Sequence, residues 1–181
     1  MNKTEIAVFG TGCFWCSEAI FKQLRGVISV TPGYAGGTTP FPSYQQVCTG
    51  NTGHAEVAQI EFDPGVISYA DLLEIFWNVH DPTSLNRQGN DVGTQYRSII
   101  LTTSQAQKET AQKSLKNLED SHQFTKPVVT VIEPLSHFYQ AENVHQDYYA
   151  NHSDQSYCRL VISPKLQHLR QKYAEKLKPV E

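Results

Sequence analysis

The chain of 181 residues contains few cysteines, no excess of basic side chains and no long apolar segment. Four cysteines are too few for a disulfide framework in a chain of this length, and a reducing compartment would keep them as thiols. The net charge of -3 provides no electrostatic footprint for nucleic acid or for an anionic membrane surface. No apolar run approaches the roughly 20 residues that span a bilayer. We therefore expect neither nucleic acid nor a membrane as a partner.

Signals for export, for dinucleotide binding and for several domains are also missing. The segment from Met1 to Glu5 passes straight into a strand-like run without the apolar stretch of a signal peptide, so we expect a cytoplasmic protein. No glycine-rich dinucleotide fingerprint follows a strand, and we expect no nicotinamide cofactor. The sequence has no internal repeat and no linker, and a single domain over residues 1–181 is the simplest organisation.

Apolar periodicity predicts strands that alternate with helices. Glycine, proline and polar residues are concentrated in residues 32–40 and 83–95, which predicts two loops there. The predicted strands cover about residues 5–10, 28–30, 58–62, 98–101 and 128–132. The predicted helices run from Cys13 to about Arg25, from a cap at Ser68 to near Asp81, from the capping-box pair Ser104 and Gln107 to about Asp120, and from Ser163 onward with Leu166, Leu169, Tyr173 and Leu177 inward.

The unequal loops between these elements are typical of an α+β fold and not of a doubly wound parallel sheet. We predict a two-layer α/β sandwich with a ferredoxin-like core, a mixed or antiparallel sheet and long surface loops. Functional side chains are often concentrated in loops that a rigid sheet holds in place. The loops are therefore the first place to look for a site.

A Cys-x-x-Cys motif with two aromatic residues inside it, Cys13-Phe14-Trp15-Cys16, follows the first predicted strand. If a helix begins at Cys13, the unpaired N–H groups and the dipole of its first turn favour a thiolate. One interpretation is a thioredoxin-like dithiol made by Cys13 and Cys16. The other is a single nucleophile, Cys13, with Phe14 and Trp15 as a receptor for a small apolar group.

The other two cysteines stand alone in the sequence. A structural zinc site needs about four ligands, usually from two cysteine pairs, so we predict no metal site. Cys48 lies between Val47 and Thr49 and is predicted to be a buried small hydrophobe. Cys158 follows the polar segment 151–157, which we expect to be mobile enough to approach a site elsewhere.

Three side chains beside the predicted strands and loops could take part in proton chemistry. Glu56 lies near the start of an alternating strand, where burial beside apolar rings would raise its pKa and make it an acid near neutral pH. Tyr44 and Tyr96 lie in or beside the two glycine-rich loops, although a tyrosine by itself is more often a packing residue.

Several segments occur in a specific order: Gly12 to Trp15, Gly33 to Gly37, Tyr44, Thr52 to Glu56, His80 to Ser98 and His145 to Tyr148. Each is weak evidence alone, but together they resemble the A-type peptide methionine sulfoxide reductases. The resemblance extends from Glu5 to near Leu160. It implies an oxidoreductase that repairs oxidative damage by reducing methionine-S-sulfoxide, free or in proteins, to methionine.

The resemblance also implies a role for individual residues. Cys13 is the nucleophile that attacks the sulfoxide sulfur, and Phe14 and Trp15 enclose the S-methyl group of the substrate. Glu56 protonates the sulfoxide oxygen. The remaining assignments are Tyr44 and Tyr96 as hydrogen-bond donors to that oxygen and Asp91 as a residue that supports the substrate site.

Attack leaves Cys13 as a sulfenic acid, which condenses with a nearby thiol. The chain departs here from the common family pattern, because position 16 is cysteine where relatives often have glycine. Cys16 is three residues from Cys13 and on the same helical face, while Cys158 matches a position where relatives often carry a resolving cysteine. Either could form the first disulfide, and the resemblance implies thioredoxin as the reductant. The alternative is a thioredoxin-like dithiol oxidoreductase that uses Cys13 and Cys16 alone.

Overall fold

The computed structural model describes residues 3–179. The two ends of the predicted domain, residues 1–2 and 180–181, lie outside the described residues. The strands are β1 Glu5–Thr11, β2 Val27–Ala35, β3 Ala55–Phe62, β4 Arg87–Gln88, β5 Asp91–Val92, β6 Ser98–Thr102, β7 Val131–Pro134 and β8 Phe138–Gln140. The helices are α1 Phe14–Phe21, α2 Tyr44–Cys48, α3 Tyr69–Asn78, α4 Gln105–Asp120, α5 Tyr148–Asn151 and α6 Ser163–Lys172. Short 3-10 helices cover Thr94–Tyr96, Asn143–His145 and Ala174–Lys176, and a π-helical turn, Cys158–Ile162, leads into α6.

Six strands form one mixed sheet in the order β7-β6-β1-β3-β2-β8. All neighbours are antiparallel except β6 and β7, which are parallel. The four inner strands β6, β1, β3 and β2, with α1 between β1 and β2 and α3 between β3 and β6, have the split βαβ arrangement of a ferredoxin-like core. The predicted α+β class and mixed sheet are confirmed.

The helices form a second layer against one face of the sheet. The main core lies between them, and Phe9 of β1 is near its centre, with its ring centroid 5.7 Å from Phe21, 5.9 Å from Tyr69 and 5.1 Å from Phe76. Burial of large aromatic rings of this kind supplies much of the stability of a domain. The opposite face carries a smaller apolar cluster centred on Val8 and Val57.

The register of the sheet brings distant segments to one edge. Phe9 pairs with Ala58 on one side of β1, and Thr11 pairs with Ser98 on the other side. Since these pairs are antiparallel, the end of β1 lies beside the start of β3 and the start of β6. The motif that begins at Cys13 is therefore held next to Glu56 and next to the segment that precedes β6.

Four predicted elements differ from the structure. The predicted loop at residues 83–95 contains the β4–β5 hairpin and the start of a 3-10 helix. The predicted loop at residues 32–40 is wrong in its first part, because β2 continues to Ala35. Gly33 makes this possible, since a Cβ atom there would lie 2.3 Å from the Phe138 ring on β8. Helix α1 ends at Phe21, earlier than the predicted Arg25. The last predicted strand is displaced to Val131–Pro134 and is an edge strand with half-buried residues, where a buried one was expected.

The helix caps follow the sequence closely. Ser68 caps α3 in a complete capping box with Asp71. Ser104 caps α4 by accepting from the Gln107 backbone N–H. The Gln107 side chain accepts from the Thr103 backbone N–H, one residue before the cap, and donates to the Ile6 carbonyl. No helix among residues 3–179 combines the length and apolar character that crossing a membrane requires.

Candidate active site

Cys13 lies at the turn between β1 and α1. Gly12, with φ of +107°, makes the turn, and Cys13 follows as the N-cap residue with extended backbone angles. The Cys13 carbonyl accepts hydrogen bonds from the backbone N–H groups of Cys16, at 3.1 Å, and Ser17, at 3.4 Å. The Cys13 side chain is 8% exposed and borders a small cavity. It is therefore sheltered but not sealed from solvent.

This cavity has a volume of about 190 Å³. Its wall is formed by the start of α1, the β4–β5 hairpin and the C-terminal part of the chain. The lining residues are Cys13, Gln88, Gly89, Asn90, Asp91, Tyr157, Val161 and Lys165. A larger groove of about 670 Å³, bordered by Gln59, Tyr69 and Gln107, does not include Cys13. The small cavity is the one that adjoins the nucleophile.

Burial and hydrogen bonding shift the pKa values of Cys13 and Cys16 in opposite directions. Burial raises the pKa of Cys13 well above its usual range, and its hydrogen bond with Cys16 and the nearby Glu56 raise it further. Burial therefore opposes the thiolate that the helix start is predicted to favour at Cys13, and the thiolate stays a prediction. The same hydrogen bond from Cys13 lowers the pKa of Cys16 to about 7.

Glu56 is the second residue of β3 and is 1% exposed. Its Oε2 accepts a hydrogen bond from the Phe14 backbone N–H at 3.0 Å, which holds the carboxyl group beside the start of α1. Burial raises the pKa of Glu56 to about 8, despite this hydrogen bond, and Asp91 and Cys16 add to the increase. Glu56 is therefore a neutral acid at pH 7, as predicted from its position beside apolar rings.

Tyr44 and Tyr96 approach the site from different loops. Tyr44 begins α2, whose N-cap Ser43 forms a capping box with Gln46, and Tyr96 ends the 3-10 helix before β6. Burial raises the pKa of both hydroxyl groups, a hydrogen bond with the Cys48 side chain raises that of Tyr44 further, and Glu56 raises both once it is ionised above pH 8. Each hydroxyl therefore remains a phenol able to donate a hydrogen bond. Both hydroxyls also interact with Cys13. The fold thus brings the four groups together.

The two aromatic residues of the motif have different surroundings. Phe14 is fully buried, with its ring centroid 5.7 Å from that of Tyr34. Trp15 is half-buried and stacks on Tyr148 with ring centroids 3.7 Å apart, while the Tyr157 ring is nearly perpendicular to it at a centroid distance of 5.8 Å. The described lining of the cavity includes Cys13 but neither Phe14 nor Trp15. Their role as a receptor for a methyl group stays a prediction.

Asp91 and Cys16 are linked by a residue to which the sequence analysis assigned no role. The Tyr157 hydroxyl donates to Asp91 Oδ2 at 2.6 Å and lies 3.9 Å from Cys16 Sγ. Asp91 thereby gains a fixed orientation on the cavity wall. Tyr157 precedes Cys158, but nothing in the local sequence indicated that its ring would return to the first helix.

His145 is a second residue whose role the sequence analysis missed. Its Nδ1 accepts a hydrogen bond from Trp15 Nε1 at 3.2 Å, and its ring centroid lies 4.4 Å from Tyr44 and 5.3 Å from Phe14. Burial lowers the pKa of His145, which keeps the ring neutral and Nδ1 free to accept. The motif from His145 to Tyr148 marked this region in the sequence, but spacing alone did not indicate which side chains His145 contacts.

The other two cysteines occupy opposite environments. Cys158 is fully buried in the π-helical turn and belongs to the same apolar core as Cys13 and Cys16. Burial raises the pKa of Cys158, and Cys16 raises it further. Cys48 is exposed, so the prediction of a buried hydrophobe is wrong. It ends the five-residue helix α2, in which Val47 is buried and Tyr44 is partly buried against the same cluster.

All four cysteines are free thiols. Among residues 3–179 no group of three or more His, Cys, Asp or Glu side chains is placed to hold a metal ion. The chemistry that the described residues support is that of a thiol pair beside a neutral carboxylic acid and two phenols. Such a site can attack an electrophilic sulfur and protonate an oxygen attached to it.

Comparison with known proteins agrees with this chemistry. Residues 5–177 match the family model described as peptide methionine sulfoxide reductase. A protein of Saccharolobus solfataricus named peptide methionine sulfoxide reductase MsrA is 53% identical over 174 residues, which cover 96% of this chain and 97% of that protein.

Two structures of Mxr1 from Saccharomyces cerevisiae are similar. The reduced form has a TM-score of 0.80 at 35% identity, covering 86% of this chain and 90% of that one. Mxr1 in complex with Trx2 has a TM-score of 0.58 at 27% identity, covering 81% of this chain and 85% of that one. The relationship favours the sulfoxide reductase prediction over a thioredoxin-like dithiol oxidoreductase. From its sequence, fold and site, the chain belongs to the peptide methionine sulfoxide reductase family, and within it to the A type.

Proposed function

We propose that this reductase acts through Cys13, which attacks the sulfur of methionine sulfoxide, and Glu56, which protonates the sulfoxide oxygen. The observation that carries this assignment is a carboxyl group that is 1% exposed and held beside the nucleophile by the Phe14 backbone N–H, and this burial raises its pKa to about 8. A sulfoxide oxygen gains negative charge as its sulfur is attacked. An acid in this place therefore stabilises the transition state more than the bound substrate.

The atoms of this step balance without a cofactor. The Cys13 thiol and the sulfoxide give a Cys13 sulfenic acid and methionine, so the oxygen moves from the substrate sulfur to Cys13. Methionine sulfur is reduced by two electrons and Cys13 sulfur is oxidised by two. The resting thiol supplies the hydrogen that the sulfenic acid carries. Glu56 lends its proton to the oxygen during the attack and recovers one when the product leaves.

The remaining side chains recognise the substrate. Tyr44 and Tyr96 stay protonated and donate hydrogen bonds to the sulfoxide oxygen. Phe14 and Trp15 provide apolar surface for the S-methyl group, and Asp91, fixed by its bond from Tyr157, supports the polar part of the substrate. This division matches a substrate with one strongly accepting oxygen on a sulfur that bears a methyl group.

Resolution of the sulfenic acid begins with Cys16 and continues with Cys158. Cys16 is already a hydrogen-bond partner of Cys13, and the lowered pKa of about 7 makes part of it thiolate at neutral pH. Cys158 is fully buried in a helical turn and interacts with Cys16. A first Cys13–Cys16 disulfide therefore requires little movement. When the π-helical turn opens, thiol–disulfide exchange gives a second disulfide that contains Cys158.

Thioredoxin is the proposed reductant of the final disulfide. The similar fold of Mxr1 has been determined in complex with Trx2, and this chain has no nicotinamide fingerprint of its own. We assign the S epimer of the sulfoxide, because each reductase type acts on one epimer. A reducing compartment such as the cytoplasm suits a cycle that starts from four free thiols.

Separated epimers of a methionine sulfoxide peptide test the assignment. We expect wild type with dithiothreitol to reduce the S epimer, and Cys13→Ser to reduce neither, since serine is a far weaker nucleophile. A thermal melt that matches wild type shows that Cys13→Ser is folded. Reduction of neither epimer by wild type, or full activity of folded Cys13→Ser, would refute the proposal.

A further inference from the structure

Glu18 is an acidic residue buried in α1, one turn after Trp15, and the proposed mechanism does not use it. It is 2% exposed, which is rare for a carboxylate. Its Oε1 accepts a hydrogen bond from the Asp147 backbone N–H at 2.9 Å and another from Lys22 Nζ at 2.9 Å. The bond from Asp147 joins α1 to a segment that is 129 residues distant in the sequence.

Asp147 has a left-handed backbone conformation, with φ of +54° and ψ of +31°. A residue with a Cβ atom adopts this conformation at a cost, although aspartate tolerates it better than most residues do. Such a conformation persists where the surrounding contacts fix it. Glu18 binds the backbone N–H of Asp147, and Lys22 forms an ion pair with its carboxylate. Helix α1 therefore fixes Asp147 through both its main chain and its side chain.

The residues on either side of Asp147 contact Trp15. Two positions before the turn, His145 Nδ1 accepts from Trp15 Nε1 at 3.2 Å. Directly after it, Tyr148 stacks on the Trp15 ring, with centroids 3.7 Å apart and planes 6° apart. Because Asp147 lies between these two contacts, a change in its φ would move one of them relative to the other. The conformation of Asp147 thus decides whether both can hold the same ring.

We propose that Glu18 is a positioning residue for substrate binding: by holding Asp147 in its left-handed conformation, it keeps His145 and Tyr148 against Trp15. The inference deepens the proposed function and rests on it, because it takes Trp15 as part of the receptor for the S-methyl group. Glu18 acts through this segment and transfers no proton to the substrate. Its loss should therefore weaken binding of the sulfoxide more than it slows the chemical step.

The indole N–H signals of the two tryptophans measure this positioning without substrate. In protein that carries ¹⁵N-labelled tryptophan, the NMR signal of Trp15 depends on its bond to His145 and its stack on Tyr148. Trp77, which donates to Ser114 Oγ at 2.8 Å, is an internal reference. Trp15→Phe identifies which of the two signals belongs to Trp15.

Three variants separate positioning from stability. Glu18→Met removes the acceptor and keeps an unbranched side chain of similar length. Glu18→Gln keeps an acceptor oxygen for the Asp147 N–H. Ser68→Ala removes the N-cap of α3, a helix that carries no proposed site residue, and lowers the Tm without a change at Trp15.

We expect Glu18→Met to shift or broaden the Trp15 signal and to leave the Trp77 signal unchanged. Substrate binding is measured from the first turnover, by rapid quench at increasing concentrations of a methionine-S-sulfoxide peptide. The half-saturating concentration for Glu18→Met should rise about fivefold, the effect of losing one typical hydrogen bond from the equilibrium that holds the segment. Its maximum rate should stay within about twofold of wild type. Glu18→Gln and Ser68→Ala should match wild type in both measurements.

A matched pair at Asp147 tests the backbone conformation directly. The Asp147 side chain is exposed, so both substitutions should leave the chain folded. Asp147→Ala and Asp147→Gly remove the same ion pair with Lys22, but glycine adopts the left-handed conformation freely and alanine does so at a cost. Asp147→Ala should therefore reproduce the changes expected for Glu18→Met, whereas Asp147→Gly should keep the wild-type signals and half-saturating concentration.

Three results would overturn the role of Glu18. These are a Trp15 signal that is unchanged in folded Glu18→Met, a half-saturating concentration that rises equally in Ser68→Ala, and a Trp15 signal that shifts without any change in half-saturation. Equal behaviour of the Ala and Gly variants at Asp147 would overturn the part played by the left-handed conformation. A wild-type protein that forms no methionine would instead refute the proposed function, and the indole signals distinguish that failure because they need no substrate.

Discussion

Replacing Glu56 by glutamine tests the acid at the centre of the mechanism. Glutamine has nearly the same shape and its amide oxygen can still accept from the Phe14 N–H, at 3.0 Å in the wild type. It cannot transfer a proton to the sulfoxide oxygen. Loss of general acid catalysis typically costs 10²–10⁴ in rate, and the retained hydrogen bonding places the expected loss near 10²-fold. That factor corresponds to about 2.7 kcal/mol of transition-state stabilisation.

The pH dependence gives this prediction a second, independent measure. Glu56 must be protonated to act, and burial raises its pKa to about 8. The wild-type rate of methionine formation should therefore decline above pH 8, and approach a tenfold loss for each further unit. Glu56→Gln should be slow at all pH values without this decline. Single-turnover methionine formation between pH 6 and 10 measures both curves.

Glu56→Gln should also remove the loss of stability that the buried acid causes as pH rises. Because the pKa of Glu56 rises on folding from about 4.5 to about 8, the native state holds a proton that the unfolded chain loses as pH rises between these values. Wild type thus loses stability over this range, up to the order of 4 kcal/mol. Glu56→Gln should lose none of it, which urea unfolding at pH 5 and pH 8.5 would reveal. Activity of Glu56→Gln within threefold of wild type, or a wild-type rate with no decline above pH 8, would refute the acid role.

Two further predictions concern resolution and packing. Cys16→Ser should release one methionine per chain at the wild-type rate but form a disulfide more than tenfold more slowly, whereas Cys158→Ser should still form the Cys13–Cys16 disulfide. Quenched alkylation with peptide mapping measures disulfide formation in both variants. A wild-type rate of disulfide formation in Cys16→Ser would contradict the proposal that Cys16 reacts before Cys158. Gly33→Ala places a Cβ atom 2.3 Å from the Phe138 ring. This overlap should destabilise the fold by about 2 kcal/mol and lower the Tm by about 5 °C. An unchanged Tm in calorimetry would contradict the close approach of β2 and β8.

Local patterns were sufficient for most of the fold. Ile60 and Phe62 alternate with polar residues and lie in β3, and Ser68 caps α3 as its position indicated. The errors occurred where tertiary contacts override local preference. Gly33 reads as a loop residue, yet it lies inside β2 because β8 packs across it with Phe138. An edge strand such as β7 likewise depends on its neighbour β6 and not on its own composition.

The sequence by itself determined which groups are available for chemistry. A cysteine at the end of a strand, a second cysteine three residues later and a glutamate at the start of another strand were all visible from local order, and the family followed from the ordered motifs. Only the tertiary structure decided the state of these groups. Burial raises the pKa of Cys13 and of Glu56, and the hydrogen bond from Cys13 lowers the pKa of Cys16. The physical reason is that a pKa depends on neighbours that are close in space, and those of Cys16, which include Asp91, Tyr157 and Lys165, are distant from it along the chain.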